Sequence, residues 1–154
     1  MEPEIDIVEL MKGMVLFGLW RDSDLRLVRR DVSGMMGLYR EFLEPGEFEQ
    51  GRVFVVTEND RLEGEFRLFV GGERMFPELE QAWIPPGLFA HLVLRPRLGI
   101  AWPAAVKRAK RHFYSTWLPG SGMRSGGVDF QLLSAESHGK QPRSHLYFSV
   151  VDGG

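Results

Sequence analysis

The chain has 154 residues, of which 44% are hydrophobic and 26% are charged, and its formal net charge is -2. This length and balance are typical of one globular domain, 1–154, with its own hydrophobic core. The slight negative charge argues against direct binding to nucleic acid, and the absence of cysteine excludes disulfides, thiol catalysis and cysteine metal sites.

The N-terminus and the apolar runs bear on location. Residues 1–7 are acidic where a secretory signal is basic, and the longest apolar run, 14–20, is too short to span a bilayer. We therefore expect a cytoplasmic protein with no membrane partner. The four histidines show no metal-ligand spacing, and no serine sits in a nucleophile elbow, so we expect no metal, no cofactor and no catalytic residue.

The first half of the chain begins with an extended segment and a helix. Residues 5–20 are predominantly apolar, and the polar turn 21–24 can cap the segment that follows. Apolar residues then recur at three- and four-residue steps over 25–43, which predicts an amphipathic helix that Pro45 and Gly46 end.

Five later segments have the apolar pattern of β-strands. They are 52–57, 65–70, 88–94, 128–133 and 145–151. A second helical stripe covers 101–117 and is predicted to stop at Pro119. The basic residues of 107–111 are interpreted as the solvated face of this helix, and 119–127 as a glycine-rich loop.

The predicted element order is β-α-β-β followed by β-α-β-β. The two halves, about 1–75 and 76–151, align so that Tyr39 matches Tyr114 and Phe42 matches Trp117. Two such units commonly merge into one mostly antiparallel sheet with two helices on one face. The sequence thus predicts an α+β fold with a central ligand cleft between two similar halves.

Four motifs in the second half carry a resemblance to a known family. They are Ile84-Pro-Pro-Gly87, Trp117-Leu-Pro-Gly-Ser-Gly122, Asp129-Phe-Gln-Leu132 and Leu146-Tyr-Phe-Ser-Val150. Together with the element order, they resemble the GyrI-like small-molecule-binding family. That family includes effector-binding domains of multidrug-responsive transcription activators and also stand-alone proteins. The resemblance implies a cleft that takes up hydrophobic, aromatic or cationic compounds.

One position departs from the family pattern. The family often carries a glutamate on the penultimate strand that faces the ligand's positive charge, and this chain has Gln131 there. A carboxylate can balance a desolvated cation, whereas an amide offers only a dipole. The preference for cations therefore stays open, as does any hydrolytic role that needs this acid.

Seven residues are predicted to line the cleft. Six are aromatic, because stacking and cation–π contacts suit flat organic ligands, and one is the amide that replaces the family's glutamate. They are Tyr39, Trp83, Phe89, Trp102, Phe130, Gln131 and Tyr147. The alternative is burial in the core for the aromatic residues and a solvated strand position for the amide.

The predicted function is that of a stand-alone binder of hydrophobic small molecules. Nothing before residue 5 or after residue 151 is long enough for a DNA-binding segment, so we expect a small molecule as partner, and a protein partner stays open. Two alternatives stay open. One is a protein that inhibits or protects a topoisomerase-like enzyme, and the other is a hydrolase of small toxins, which needs a carboxylate and a tyrosine in the cleft.

Overall fold

The computed structural model describes residues 4–59, 64–96 and 102–153. The strands are β1 (Asp6–Leu10), β2 (Met14–Asp24), β3 (Val53–Glu58), β4 (Glu65–Gly72), β5 (Glu80–Ile84), β6 (Gly87–Leu94), β7 (Met123–Leu133) and β8 (Ser144–Asp152). The helices are α1 (Val28–Arg40), α2 (Glu47–Gln50), α3 (Trp102–His112) and α4 (Leu118–Ser121). A π-helical stretch, Phe113–Trp117, joins α3 to α4, and a 3-10 turn covers Ala135–His138.

All these strands form one antiparallel sheet in the order β1-β6-β8-β7-β3-β4-β2-β5. The fold is α+β, as predicted. The outermost strands β1 and β5 are followed in the chain by strands near the opposite end of the sheet, through the short links 11–13 and 85–86. These links keep the two ends of the sheet close together, so the sheet is curled.

The central pair of strands, β3 and β7, is called the seam below. The strand order has the same form on either side of the seam, with β1-β6-β8 on one side and β5-β2-β4 on the other. This arrangement is what two β-α-β-β units joined at the seam would give. The superposition of 1–75 on 76–151 stays a prediction.

Both long helices pack on the same face of the sheet, called the helical face. Val55, Gln131 and Leu146 are register partners across β3, β7 and β8, so their side chains point the same way. Val55 packs in a cluster with residues of α1, and Leu146 packs in a cluster with residues of α3. The helices therefore stand on either side of the seam, α1 over β2 and β4 and α3 over β6.

Two elements at the edge of the sheet were not predicted. The extended segment 5–20 is two strands, split at Gly13, where an added Cβ would lie 2.1 Å from the Trp83 ring. The strand β5 lies outside the five segments that the sequence predicts as later strands. Its residues Gln81 and Trp83 are exposed and alternate with the buried Ala82 and Ile84. This alternation covers only five residues, so the sequence signal for a strand is short.

The predicted helix end at Pro119 is wrong. The helical segment continues to Ser121 and ends at Gly122, which has a φ of 76°. Pro119 lies in the first turn of α4, where a missing backbone N–H costs least. The loop predicted over 119–127 is also wrong in its second part, because β7 already begins at Met123.

A bulge interrupts the pairing of β7 with β8 between Ser125 and Asp129, and it makes Gly126 sensitive to substitution. A Cβ on Gly126 would lie 2.6 Å from Ser149 Oγ, which also accepts a hydrogen bond from the backbone of Val128 at 2.9 Å. We expect Gly126→Ala to lower the free energy of unfolding by about 1–2 kcal/mol in urea denaturation. Gly120→Ala, with open space around it, is the control. Equal effects of both substitutions would contradict the expectation.

Candidate functional site

The seam has a floor of three cross-strand pairs on the helical face. They are Val53 with Leu133, Val55 with Gln131, and Thr57 with Asp129. All six side chains are buried. Because alternate residues of a strand share a face, the floor runs from an apolar end at Val53 to a polar end at Thr57.

Two side chains from the α3 segment close the polar end of the floor. Lys110 is 7% exposed, and its Nζ donates a hydrogen bond to Thr57 Oγ1 at 3.0 Å. Tyr114 lies four residues further on, and its hydroxyl donates to Asp129 Oδ2 at 2.5 Å. A carboxylate and a tyrosine therefore meet at the seam, together with a buried ammonium group.

The interpretation of Lys110 as part of a solvated basic face is wrong. Residues spaced by four lie on one face of a helix, and Trp102, Val106, Lys110 and Tyr114 form such a row. That row packs toward the sheet, whereas Lys107 is exposed. The spacing was available in the sequence, but the run of basic residues around Lys110 concealed it.

Gln131 lies in the middle of the floor. Its side chain is 6% exposed, and its Nε2 donates to Ser144 Oγ at 2.9 Å. The solvated strand position left open as an alternative does not apply. The amide oxygen of a buried glutamine is a further acceptor, so this residue can give the floor a directional polar contact.

Trp102 lies above the seam. It packs against the cluster around α1, which contains Tyr39 and Val55, and also against the cluster around α3, which contains Phe113 and Leu146. A residue that contacts both clusters must bridge the gap between the two helices. Trp102 is therefore the roof of the seam within the described residues.

Tyr39 stands on the α1 side of the seam. Its ring is buried in the α1 cluster, and burial, with a smaller contribution from Glu47, raises the pKa of its hydroxyl to about 12. The hydroxyl therefore stays neutral at physiological pH. A depression of about 380 Å³ is lined by Tyr39, Val53 and Arg74, among others, and opens beside the apolar end of the floor.

Three of the predicted residues lie on the other face of the sheet. Phe130 alternates with Gln131 and so points away from the seam. Its ring stacks on Tyr147, with centroids 4.7 Å apart, and packs edge-on against Phe89 at 5.6 Å. These aromatic residues belong to a cluster with Leu16 that the curl of the sheet buries.

The seventh predicted residue, Trp83, is 56% exposed on the edge strand β5. It is paired in register with Val15 of β2, which is also exposed. The structure thus brings Tyr39, Trp102 and Gln131 together at the seam and separates Phe89, Phe130, Tyr147 and Trp83 from it.

Tyr147→Ala tests this separation. The substitution removes a half-buried ring from the opposite face, so we expect the free energy of unfolding to fall by about 2 kcal/mol. Affinity for a ligand held at the seam should not change. Urea denaturation and isothermal titration measure the two quantities, and Tyr147→Phe, which keeps the ring, is the control. Loss of affinity without loss of stability would move the ligand to the opposite face.

A chain of polar contacts crosses the sheet beyond this aromatic cluster. Asp6 bonds to His91 at 3.1 Å, His91 to His145 at 2.8 Å, and His145 to Glu136 at 3.0 Å. Hydrogen bonds from Arg143 and then His145 lower the pKa of Glu136. The chain ties β1, β6 and β8 to the 3-10 turn. Among the described residues, no three histidine or carboxylate side chains are arranged to hold a metal ion.

Comparisons with known proteins agree on the fold. No family model and no curated protein matches the sequence. Among solved structures, SAV2435 bound to tetraphenylphosphonium matches with a TM-score of 0.66 and 11% identity, covering 96% of this chain and 94% of that one. The EcmrR C-terminal domain matches with a TM-score of 0.62 and 10% identity, covering 99% of each chain. A hydrolase encoded by lin2189 from Listeria innocua matches with a TM-score of 0.51 and 7% identity, covering 97% of this chain and 93% of that one.

These likenesses are structural, since sequence identity is low. Within the described ranges, no helix is long and apolar enough to cross a membrane. Of these three structures, the two with the higher TM-scores are a protein bound to tetraphenylphosphonium and the EcmrR C-terminal domain, and the third is named a hydrolase. The chain therefore shares its α+β fold with these proteins, which is consistent with the resemblance to the GyrI-like family.

Proposed function

We propose that this protein binds a hydrophobic, aromatic small molecule at the seam on the helical face. The observation that carries the proposal is Trp102, which bridges the two helix-side clusters above a buried floor. An aromatic ligand beside this ring would gain about 25 cal/mol for each Å² of apolar surface that it buries. Gln131 would supply the polar contact that fixes the ligand's orientation.

The apolar end of the floor is where the ligand would enter. Val53 belongs both to the floor and to the depression of about 380 Å³. Tyr39 lines the same depression, and its neutral hydroxyl and ring suit an aromatic guest. The capture of tetraphenylphosphonium by SAV2435, a protein of the same fold, supports binding of bulky aromatic compounds.

Filling the floor tests the site. We expect wild-type protein to bind at least one of three phenyl-rich probes of similar shape in isothermal titration. The probes are triphenylphosphine oxide, tetraphenylphosphonium and tetraphenylborate. Val55→Phe places a ring in the middle of the floor and should weaken binding at least tenfold. Val15→Phe makes the same change at an exposed position of β2 and is the control. Equal affinities of the two variants would exclude the seam.

A hydrolase of small reactive compounds is the second candidate, and one contact favours it. Tyr114 and Asp129 converge at the seam with 2.5 Å between their oxygens, so the absence of the family's glutamate at Gln131 does not remove the acid. A carboxylate can activate water and a phenol can protonate a leaving oxygen. Incubation with styrene oxide, followed by mass spectrometry for the diol, tests this activity. Turnover that persists in Asp129→Asn would rule out this pair.

Three earlier expectations stay predictions. They are the cytoplasmic location, the absence of direct contact with nucleic acid, and a protein partner such as a topoisomerase-like enzyme.

A further inference from the structure

We propose that Lys110 sets the charge specificity of the seam. Its ammonium group occupies, as part of the chain, the place that the charge of a cationic ligand would take. The seam then selects neutral aromatic compounds over lipophilic cations. This inference rests on the proposed function, because it names the ligand class of the same site.

The position of the ammonium follows from two contacts. Lys110 Nζ lies 3.0 Å from Thr57 Oγ1, and Thr57 is the register partner of Asp129 on the neighbouring strand. Opposite residues in an antiparallel pair have Cβ atoms about 4.5–5.5 Å apart. The ammonium is therefore held at the Asp129 end of the floor. The hydroxyl of Tyr114 donates a hydrogen bond to the carboxylate of the same aspartate.

The formal charges of this site sum to zero. Lys110 contributes one positive charge and Asp129 one negative charge, while Thr57, Gln131 and Tyr114 carry none. A ligand cation would find the carboxylate already balanced and would be repelled by the ammonium. Because Lys110 and Asp129 are buried, solvent and salt screen these interactions poorly. A ligand anion would find the ammonium group already balanced and would be repelled by the carboxylate of Asp129.

A neutral ligand with one acceptor oxygen avoids both penalties. Its apolar surface can lie along Val53 and Val55, and its acceptor can take a hydrogen bond from the Gln131 amide or the Lys110 ammonium. The floor therefore has two parts: an apolar part that gives affinity and a polar part that discriminates between ligands by charge.

The test changes the net charge of the seam in both directions. Lys110→Gln keeps a donor for Thr57 and makes the seam negative, and Asp129→Asn makes it positive. Lys107→Gln, on the exposed side of the same helix, removes the same charge far from the seam and is the matched control. Each folded protein, checked by circular dichroism, is titrated with triphenylphosphine oxide, tetraphenylphosphonium and tetraphenylborate.

We expect wild-type protein and Lys107→Gln to bind the neutral oxide most tightly. Lys110→Gln should tighten tetraphenylphosphonium binding about tenfold, and Asp129→Asn should do the same for tetraphenylborate. If Lys110→Gln does not fold, two results still test the inference. They are the order in which wild-type protein prefers the three probes and the affinity of Asp129→Asn for tetraphenylborate.

Tighter binding of the cation than of the neutral oxide by wild-type protein would overturn this inference and leave the proposed function intact. Equal affinities of Lys110→Gln and Lys107→Gln for tetraphenylphosphonium would have the same consequence. Failure of every folded protein to bind any probe would overturn the proposed function, and this inference with it.

Discussion

Trp102→Ala should remove most of the ligand affinity and also lower the free energy of unfolding by about 3 kcal/mol. The indole contacts both helix-side clusters, so truncation opens a gap between them and takes away the roof of the seam. We expect affinity for the best-bound phenyl probe to fall at least tenfold, because large aromatic side chains dominate such contacts. Urea denaturation and isothermal titration measure the two effects.

Trp83→Ala is the matched control for this substitution. It removes the same side chain from the edge strand β5, where the ring is 56% exposed and lies against Gly13. It should lower the free energy of unfolding by about 1 kcal/mol or less and leave the affinity for the phenyl probes unchanged. Affinity that survives in Trp102→Ala, or that is lost in Trp83→Ala, would contradict the assignment of the roof.

The sequence predicted those elements whose apolar pattern is strong and local. The helical stripes over 25–43 and 101–117 correspond to α1 and to α3 with its π-helical extension. The pairing of β1 with β6 and of β5 with β2 links residues far apart in the chain. Such pairing depends on the curl of the whole sheet, and no local periodicity encodes it.

The candidate site could be predicted only in part, because local sequence patterns do not encode the long-range packing that forms it. Aromatic residue type selected Trp102, and the family resemblance selected Gln131. Residue type also selected Phe130 and Tyr147, which the alternation of β7 and β8 places on the opposite face. Lys110 was missed because a lysine among basic residues is normally solvated. Its four-residue spacing from Val106 and Tyr114 was the one signal in the sequence, and the packing of α3 over the seam shows that this lysine is buried.

Gln131→Glu should turn the seam toward cations at a cost in stability. The substitution places a carboxylate at a buried position where the native amide donates to Ser144 Oγ. An ionised group without a partner is expensive to bury, so we expect the ligand-free protein to lose about 3 kcal/mol of unfolding free energy. Gln81→Glu makes the same change at an exposed position and should lower the free energy of unfolding by only about a few tenths of a kcal/mol.

A lipophilic cation should restore part of that stability, because it supplies the missing counter-charge. We expect tetraphenylphosphonium to bind Gln131→Glu about tenfold more tightly than wild-type protein, a gain of about 1.4 kcal/mol, and tetraphenylborate to bind less tightly. The melting temperature of this variant should rise with added cation more steeply than that of Gln81→Glu. Equal responses of the two variants to both probes would place Gln131 outside the ligand's reach.

The substitutions Gln131→Glu and Lys110→Gln reach the same net charge by different routes. The first adds a carboxylate in the middle of the floor, and the second unmasks the one that Asp129 already provides at the polar end. If charge balance alone sets the preference, both should favour the cation by similar factors, and the double variant should favour it most. If only Gln131→Glu gains cation affinity, the ligand's charge lies over the middle of the floor, and Asp129 is too far away to act on it.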